Sequence, residues 1–155
     1  MQIIYEEIND DLYERISQRY EWANEIHFGD GTYSLVAMDN NIPVGFISAC
    51  TKKFTAPLEN EEDAYINVLM VDKPYRRKGI ARELILTTEK WATEKGFPQI
   101  RAWSTTARLE ALPMWRSLGY CMCPAKIWLE QYNEAIDGYY VVKKLDPISP
   151  LKDAE

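Results

Sequence analysis

Between Lys73 and Arg82 the chain carries five positive charges, Lys73, Arg76, Arg77, Lys78 and Arg82, and no negative one. The chain as a whole has the opposite balance, 18 Lys and Arg against 24 Asp and Glu, for a formal net charge of −6. Such a local reversal suits an anion. Gly79 follows most of the cluster and opens a stretch of helical apolar spacing, so the free N–H groups and dipole of a helix N-terminus fall on the same spot. Glycine there lets a phosphate approach the amides with no Cβ in the way. The residues alone fit two readings equally well, a pyrophosphate cradle and a solvated basic turn.

Composition narrows the field. With 155 residues, 46% hydrophobic and 27% charged, the chain suits one globular domain, which we assign to residues 1–146 with a frayed tail at 147–155. An acidic balance argues against a nucleic-acid partner, which needs a basic face. His27 is the only histidine, and Cys50, Cys121 and Cys123 are an odd set with no second ligand pair for Cys121-Met122-Cys123, so neither a metal site nor a disulfide framework is expected. Cys121 and Cys123 read instead as strand residues on one sheet face. Acids near the N-terminus and the lack of an apolar run of roughly 20 residues point to a cytoplasmic protein with no membrane partner.

The elements that must position the basic cluster follow from periodicity. Residues 2–8 read as a strand, then Asn9 or Asp10 caps a helix to about Asn24 with an apolar stripe of Leu12, Ile16, Tyr20 and Ala23. Gly29-Asp30-Gly31 breaks the chain, and strands Thr32 to Met38 and Ile42 to Thr51 form a hairpin through Asp39-Asn40-Asn41. A loop from Phe54 to Asp63, with Pro57 and the acids Glu59, Glu61, Glu62 and Asp63, leads into a strand from Ala64 to Val71. Ile80, Leu84, Ile85, Thr88, Trp91 and Ala92 mark a helix from Gly79 to Lys95, stopped by Gly96. Gln99 to Thr105 is the next strand, parallel to the fourth across this crossover. A short helix with Pro113 near its start ends at Leu118-Gly119, and strands at Tyr120 to Trp128 and Gly138 to Leu145 close the α/β fold. The Leu129 to Asp137 connection between them is long enough to act as an arm exchanged in a homodimer.

Val71-Asp72-Lys73-Pro74-Tyr75-Arg76-Arg77-Lys78-Gly79-Ile80-Ala81, followed by Arg82-Glu83-Leu84-Ile85, resembles the acetyl-CoA signature of the GNAT N-acetyltransferases. Its core is [QR]-x-x-G-x-[GA], and Arg76, Gly79 and Ala81 fill the three defining positions. Downstream, Ala111-Leu112-Pro113-Met114-Trp115-Arg116-Ser117-Leu118-Gly119-Tyr120 is similar to the A-x-x-x-Y-x-x-x-G-[FY] element of that family. The resemblance implies a mixed central sheet of about seven strands, splayed after the fourth and flanked by about four helices, with acetyl-CoA as cosubstrate in the V. The pantetheine arm would pair with Leu69, Met70 and Val71, and the pyrophosphate would sit on the turn and helix start formed by Arg76, Arg77, Lys78, Gly79, Ile80, Ala81 and Arg82. Met114 and Trp115 would flank the thioester end.

The second element departs from the family at Trp115, which stands where many members carry the tyrosine that protonates the departing thiolate. Indole donates a hydrogen bond without useful acidity; the thiolate is a tolerable leaving group, so turnover need not be lost, and water, Tyr120, Ser117 or a tyrosine from another strand could take over. Arg108 also stands where asparagine is common. An acceptor amine arrives protonated and needs a base, for which Glu61, Glu62 and Asp63, or Tyr65 and Asn67 through a water, are candidates, each against the reading of solvated loop or packed strand. His27, with Trp22, Glu21 and Glu25, lies where the family forms its acceptor side. On the fifth strand Arg101 and Trp103 alternate with Ala102 and Ser104; one pair faces the cleft, and periodicity does not say which.

The expected activity is direct transfer of acetyl to a primary amine of a small molecule or peptide. The acids favour a polyamine, a sugar amine or a peptide N-terminus. The alternative is an acyl-CoA-binding regulatory or interaction module with little turnover.

Overall fold

The computed structural model describes residues 1–145, so the tail expected to fray from Asp146 lies outside the described residues. Seven strands, β1 (Ile3–Glu7), β2 (Thr32–Asp39), β3 (Ile42–Lys53), β4 (Glu62–Val71), β5 (Gln99–Thr105), β6 (Cys121–Leu129) and β7 (Glu134–Lys144), form one sheet in the order β1-β2-β3-β4-β5-β7-β6. Every neighbouring pair is antiparallel except β4 and β5. That exception follows from the intervening helix α2 (Ile80–Glu94), which carries the chain back across the sheet.

Each face has its own apolar cluster. Ile80, Leu84, Ile85, Trp91 and Ala92 of α2 bury against Ala49, Ala64, Ile66, Ile100 and Ala102 on one face. On the other, α1 (Asp10–Ser17) packs Leu12 and Ile16 against Val36, Met38 and Phe46. It covers the β1 to β4 half; among the described residues the same face of β5, β7 and β6 carries no helix.

Among the described residues there are three α-helices rather than about four, the third being α3 (Leu112–Ser117). The first is shorter than its periodicity predicts. Asn9 caps it, accepting from the Leu12 N–H at 2.9 Å, but it ends at Ser17, and Glu21–Glu25 continues as a 3-10 turn. The cause is Tyr20, whose backbone is extended and whose buried hydroxyl donates to the Pro43 carbonyl at 2.8 Å. Leu12, Ile16, Tyr20 and Ala23 are nonetheless all buried. At the other end β7 starts at Glu134, so the connection from β6 is a 3-10 turn, Glu130–Tyr132, plus Asn133 in the left-handed region. The Leu129 to Asp137 connection, expected to be long enough for an exchanged arm, is thus a tight hairpin within the chain.

Candidate active site

The parallel ladder between β4 and β5 is short. It pairs Ala64 with Ile100, Tyr65 with Arg101 and Ile66 with Ala102, and then the strands part. A β-bulge sits at the point of separation. Across β3, Ser48 opposes Val68 while Ala49 opposes Ile66, which leaves Asn67 as the extra residue. The bulge flips the side-chain phase: Ala64 and Ile66 pack toward α2 before it, Leu69 and Val71 after it, while Val68 and Met70 turn to the α1 side. Beyond Ile66 the edge of β4 that faces β5 pairs with no strand among the described residues, which leaves it open to an extended, amide-bearing arm as far as Met70.

That edge runs directly into the basic turn. Lys73–Tyr75 is a 3-10 turn, Arg77 and Gly79 both take left-handed backbone with φ of 60° and 82°, and α2 begins at Ile80. The first backbone bond into the helix runs from Glu83 N–H to Gly79 C=O at 3.0 Å. No N–H from Arg77 through Arg82 donates to another group among the described residues. A Cβ built on Gly79 meets nothing within 4 Å, so the space above these amides is open. Arg77, Lys78 and Arg82 are exposed around it. Arg76 is the exception in the expected set, because its Nε donates to the Val71 carbonyl at 3.0 Å and clasps the turn onto β4. Free amides, open space and positive charge fit a phosphate group.

On the α1 side of the splay lie the residues expected to handle the acceptor. Ala102 packs toward α2, so Arg101 and Trp103 are the pair that faces this side. Asp63 is wholly buried and accepts from Arg101 Nε at 2.7 Å and Gln99 Nε2 at 2.9 Å, both on Oδ2. It is an anchor for arginine, and Glu62, exposed opposite Lys53 at the start of β4, lies about 16 Å along the strand from Asn67. The acids that favoured a cationic acceptor therefore do not gather at the point of separation. Burial pushes the Tyr65 hydroxyl up to about 12, so at neutral pH it keeps its proton and can serve as a hydrogen-bond donor but not as a base. Burial also pushes the Cys50 thiol beside it up from its ordinary value.

Asn67 donates through Nδ2 to the Glu25 carbonyl, which latches the 3-10 turn after α1 onto the bulge, while its Oδ1 is buried with no partner. Two residues on, the His27 N–H donates to Ser48 Oγ at 2.9 Å and the His27 carbonyl accepts from Ser34 Oγ at 3.1 Å. The imidazole is thus left exposed on a segment tied to β3 and β4. Trp22, on the same turn, is 44% exposed, too much for a core residue. Trp103 lies over Gly138, where a Cβ would come within 2.6 Å of the indole ring, and its Nε1 is buried without a partner.

On the α2 side, Trp115 is buried and packs edge-on against Tyr120 at 4.8 Å between ring centroids, with Met114 half-buried beside it. Neither alternative acid on that side is free. Tyr120 donates to Glu89 Oε1 at 2.9 Å, and burial next to that carboxylate raises its hydroxyl far above the ordinary tyrosine value. Ser117 Oγ donates back to the Met114 carbonyl at 2.7 Å. Pro113 sits in the first turn of α3, where its missing N–H costs nothing, and Arg108 forms a kink in the preceding 3-10 turn.

Residues 1–120 match the sequence model of the acetyltransferase (GNAT) family, and the chain belongs to that family of acyltransferases. It is 30% identical over 81 residues to the uncharacterized N-acetyltransferase MJ1207 of Methanocaldococcus jannaschii, a match spanning 52% of this chain and 35% of that protein. The chain thus covers about a third of that relative's length. Among solved structures it resembles Arabidopsis thaliana NAA60 in complex with acetyl-CoA, with a TM-score of 0.74 at 17% identity over 93% of this chain and 99% of that one. It also resembles the aminoglycoside N-acetyltransferase AAC(6')-Iy in complex with CoA, with a TM-score of 0.69 at 18% identity over 82% and 98% of the two chains. These likenesses agree with the splayed seven-stranded fold.

Proposed function

We propose that the protein transfers acetyl from acetyl-CoA directly to a primary amine of a small molecule or peptide. The observation that carries this reading is the continuity of the unpaired β4 edge after Asn67 with the free N–H groups from Arg77 through Arg82. An extended arm and a pyrophosphate are the two parts of one ligand that such a surface suits. Leu69 and Met70 would pair with the arm, and Arg77, Lys78 and Arg82 would add charge to the amide cradle. Arg76 and Val71 hold the turn in place. In the transfer the amine nitrogen bonds to the acetyl carbon, the C–S bond breaks, CoA leaves as thiolate and the amine sheds a proton.

Holding both reactants at one point is the main contribution asked of the protein. Tyr65, protonated at neutral pH, is a hydrogen-bond donor on the acceptor side; Asn67 positions the turn that carries His27; His27 is the residue we assign to the proton. Glu62 is left out on distance. Trp115, buried against Tyr120, supplies no proton.

The test is CoA release from acetyl-CoA across a panel of amines. Release that depends on added amine supports the transferase, and tight acetyl-CoA binding with no amine-dependent release would support the binding-module reading. His27→Gln is expected to lower kcat/KM for the amine by about tenfold or more with acetyl-CoA affinity unchanged. An unchanged kcat/KM would remove His27 from the mechanism.

A further inference from the structure

Arg101 is built into the acceptor side in a way that packing alone does not require. Its side chain is 11% exposed and its Nε is committed to the wholly buried Asp63. Three aromatic rings surround the guanidinium, Phe54, Tyr65 and Tyr140, with centroids 4.9, 5.2 and 5.5 Å from Cζ. Neither terminal nitrogen makes a hydrogen bond among the described residues, and neither is among the sealed, unpartnered polar atoms, so both reach solvent. The result is a guanidinium fixed at its base, walled by rings, with its two-pronged end open.

The local charge does not balance. Lys52 stands 4.0 Å above the Tyr65 ring, so Arg101 and Lys52 together face one buried carboxylate. The Arg101 backbone lies opposite Tyr65, one pair before the last rung of the β4–β5 ladder and about 7 Å along the strand from Asn67, and its guanidinium leans back from there toward Asp63. A guanidinium with both prongs free matches a carboxylate in a bidentate pair, and a low-exposure, ring-lined setting strengthens that pairing while repelling a second cation.

We propose that the acceptor amine carries a carboxylate and that Arg101 is the residue that selects it, with Asp63 and Gln99 as positioning residues for the guanidinium. The inference rests on the acetyltransferase reading and deepens it. It also qualifies the expectation of a polycationic acceptor: beside the carboxylates of Glu21 and Glu25, the acceptor side offers the positive charge of Arg101.

The experiment compares matched acceptors with the full chain and acetyl-CoA, reading CoA release: tyrosine against tyramine, lysine against cadaverine, and peptides beginning with Asp or Glu against the same peptides beginning with Asn or Gln. Acetyl-CoA binding is measured alongside by calorimetry. The expected result is a kcat/KM at least tenfold higher for the carboxylate member of one or more pairs. That preference collapses in Arg101→Gln and partly survives in Arg101→Lys, with acetyl-CoA affinity within twofold of wild type. Preference among the free amino acids assigns the carboxylate to a small acceptor, and preference among the peptides assigns it to an acidic first residue. Equal or faster turnover of the members lacking the carboxylate overturns the proposal, as does a preference that persists in Arg101→Gln. If that variant does not fold, the wild-type pairs decide. Acetyl-CoA binding without turnover of any carboxylate-bearing amine overturns the proposal and leaves the cradle standing, whereas failure to bind acetyl-CoA overturns the reading beneath it.

Discussion

Two buried carboxylates, one on each face of the sheet, are paired in opposite ways. Glu89 of α2 uses both oxygens: Tyr120 donates to Oε1 at 2.9 Å, and Lys143 Nζ reaches Oε1 at 3.2 Å and Oε2 at 2.9 Å. It ties α2 to β7 and to the residue before β6, and its partners are spent on it. Asp63 draws both donors onto Oδ2 and leaves Oδ1 buried without a partner, while the arginine it holds keeps its outer nitrogens open. A closed network of this kind clasps elements together; an open one presents a charge. The former stabilises, and the latter leaves a guanidinium available for a further pairing.

Breaking the closed network gives the largest expected effect on stability. Glu89→Ala strands Lys143 and Tyr120 and is expected to cost about 3–5 kcal/mol, read by denaturant unfolding, with kcat/KM per folded molecule unchanged. Asp63→Asn keeps the shape of its side chain and removes the charge, for a stability loss of about 1–3 kcal/mol. Unlike the first variant it is expected to raise the acceptor KM with little change in acetyl-CoA affinity. Tyr120→Phe removes one of the bonds to Glu89 and leaves Lys143 in place, so about 1 kcal/mol is expected, again with no kinetic signature. A kinetic effect confined to the Glu89 variants would dissolve the distinction.

The smallest effect is invisible at neutral pH. Burial raises the Tyr65 hydroxyl from its ordinary 10 to about 12, so the folded state keeps this proton where the unfolded chain loses it. The stability this group contributes is fully present below pH 10 and is lost as pH rises through about 12. Tyr65→Phe should therefore flatten the alkaline fall in stability, measured by unfolding between pH 9 and roughly 12. An equally steep fall in the variant would place the titration elsewhere, Tyr20 being the next group that burial pushes up to about 12.

The two regions also differ in how much of them was legible in the chain. The cradle was, because it depends on local order: a basic run, Gly79 and a helical stripe are contiguous, and a turn followed by free N–H groups needs no distant partner. The helix after Asn9 was legible in its buried stripe but not its length, since Tyr20 is drawn out of helical backbone by a carbonyl in β3. The acceptor side was mostly not legible. Asp63 and Arg101 stand far apart in sequence, and only the β4–β5 register brings them together. A loop acid and a buried anchor look alike until that register is known. One local signal was present and went unread: the apolar alternation of Ala64 and Ile66 resumes one residue late at Leu69 and Val71, which marks a bulge at Asn67. Likewise Gly138 leaves room for Trp103, a dependence between neighbouring strands that periodicity within one strand does not record.

The most direct test of the central claim, that backbone from Asn67 to Arg82 grips an acyl-CoA, is calorimetric binding of acetyl-CoA to the wild-type chain and to Gly79→Asp and Arg77→Glu. In Gly79→Asp a carboxylate occupies the open space above the free amides at a left-handed position, and in Arg77→Glu the charge beside them reverses. Micromolar binding by the wild type, weakened by about a hundredfold or more in Gly79→Asp and by a lesser factor in Arg77→Glu, is the predicted result. No binding by the wild type, or undiminished binding in both variants, would contradict it.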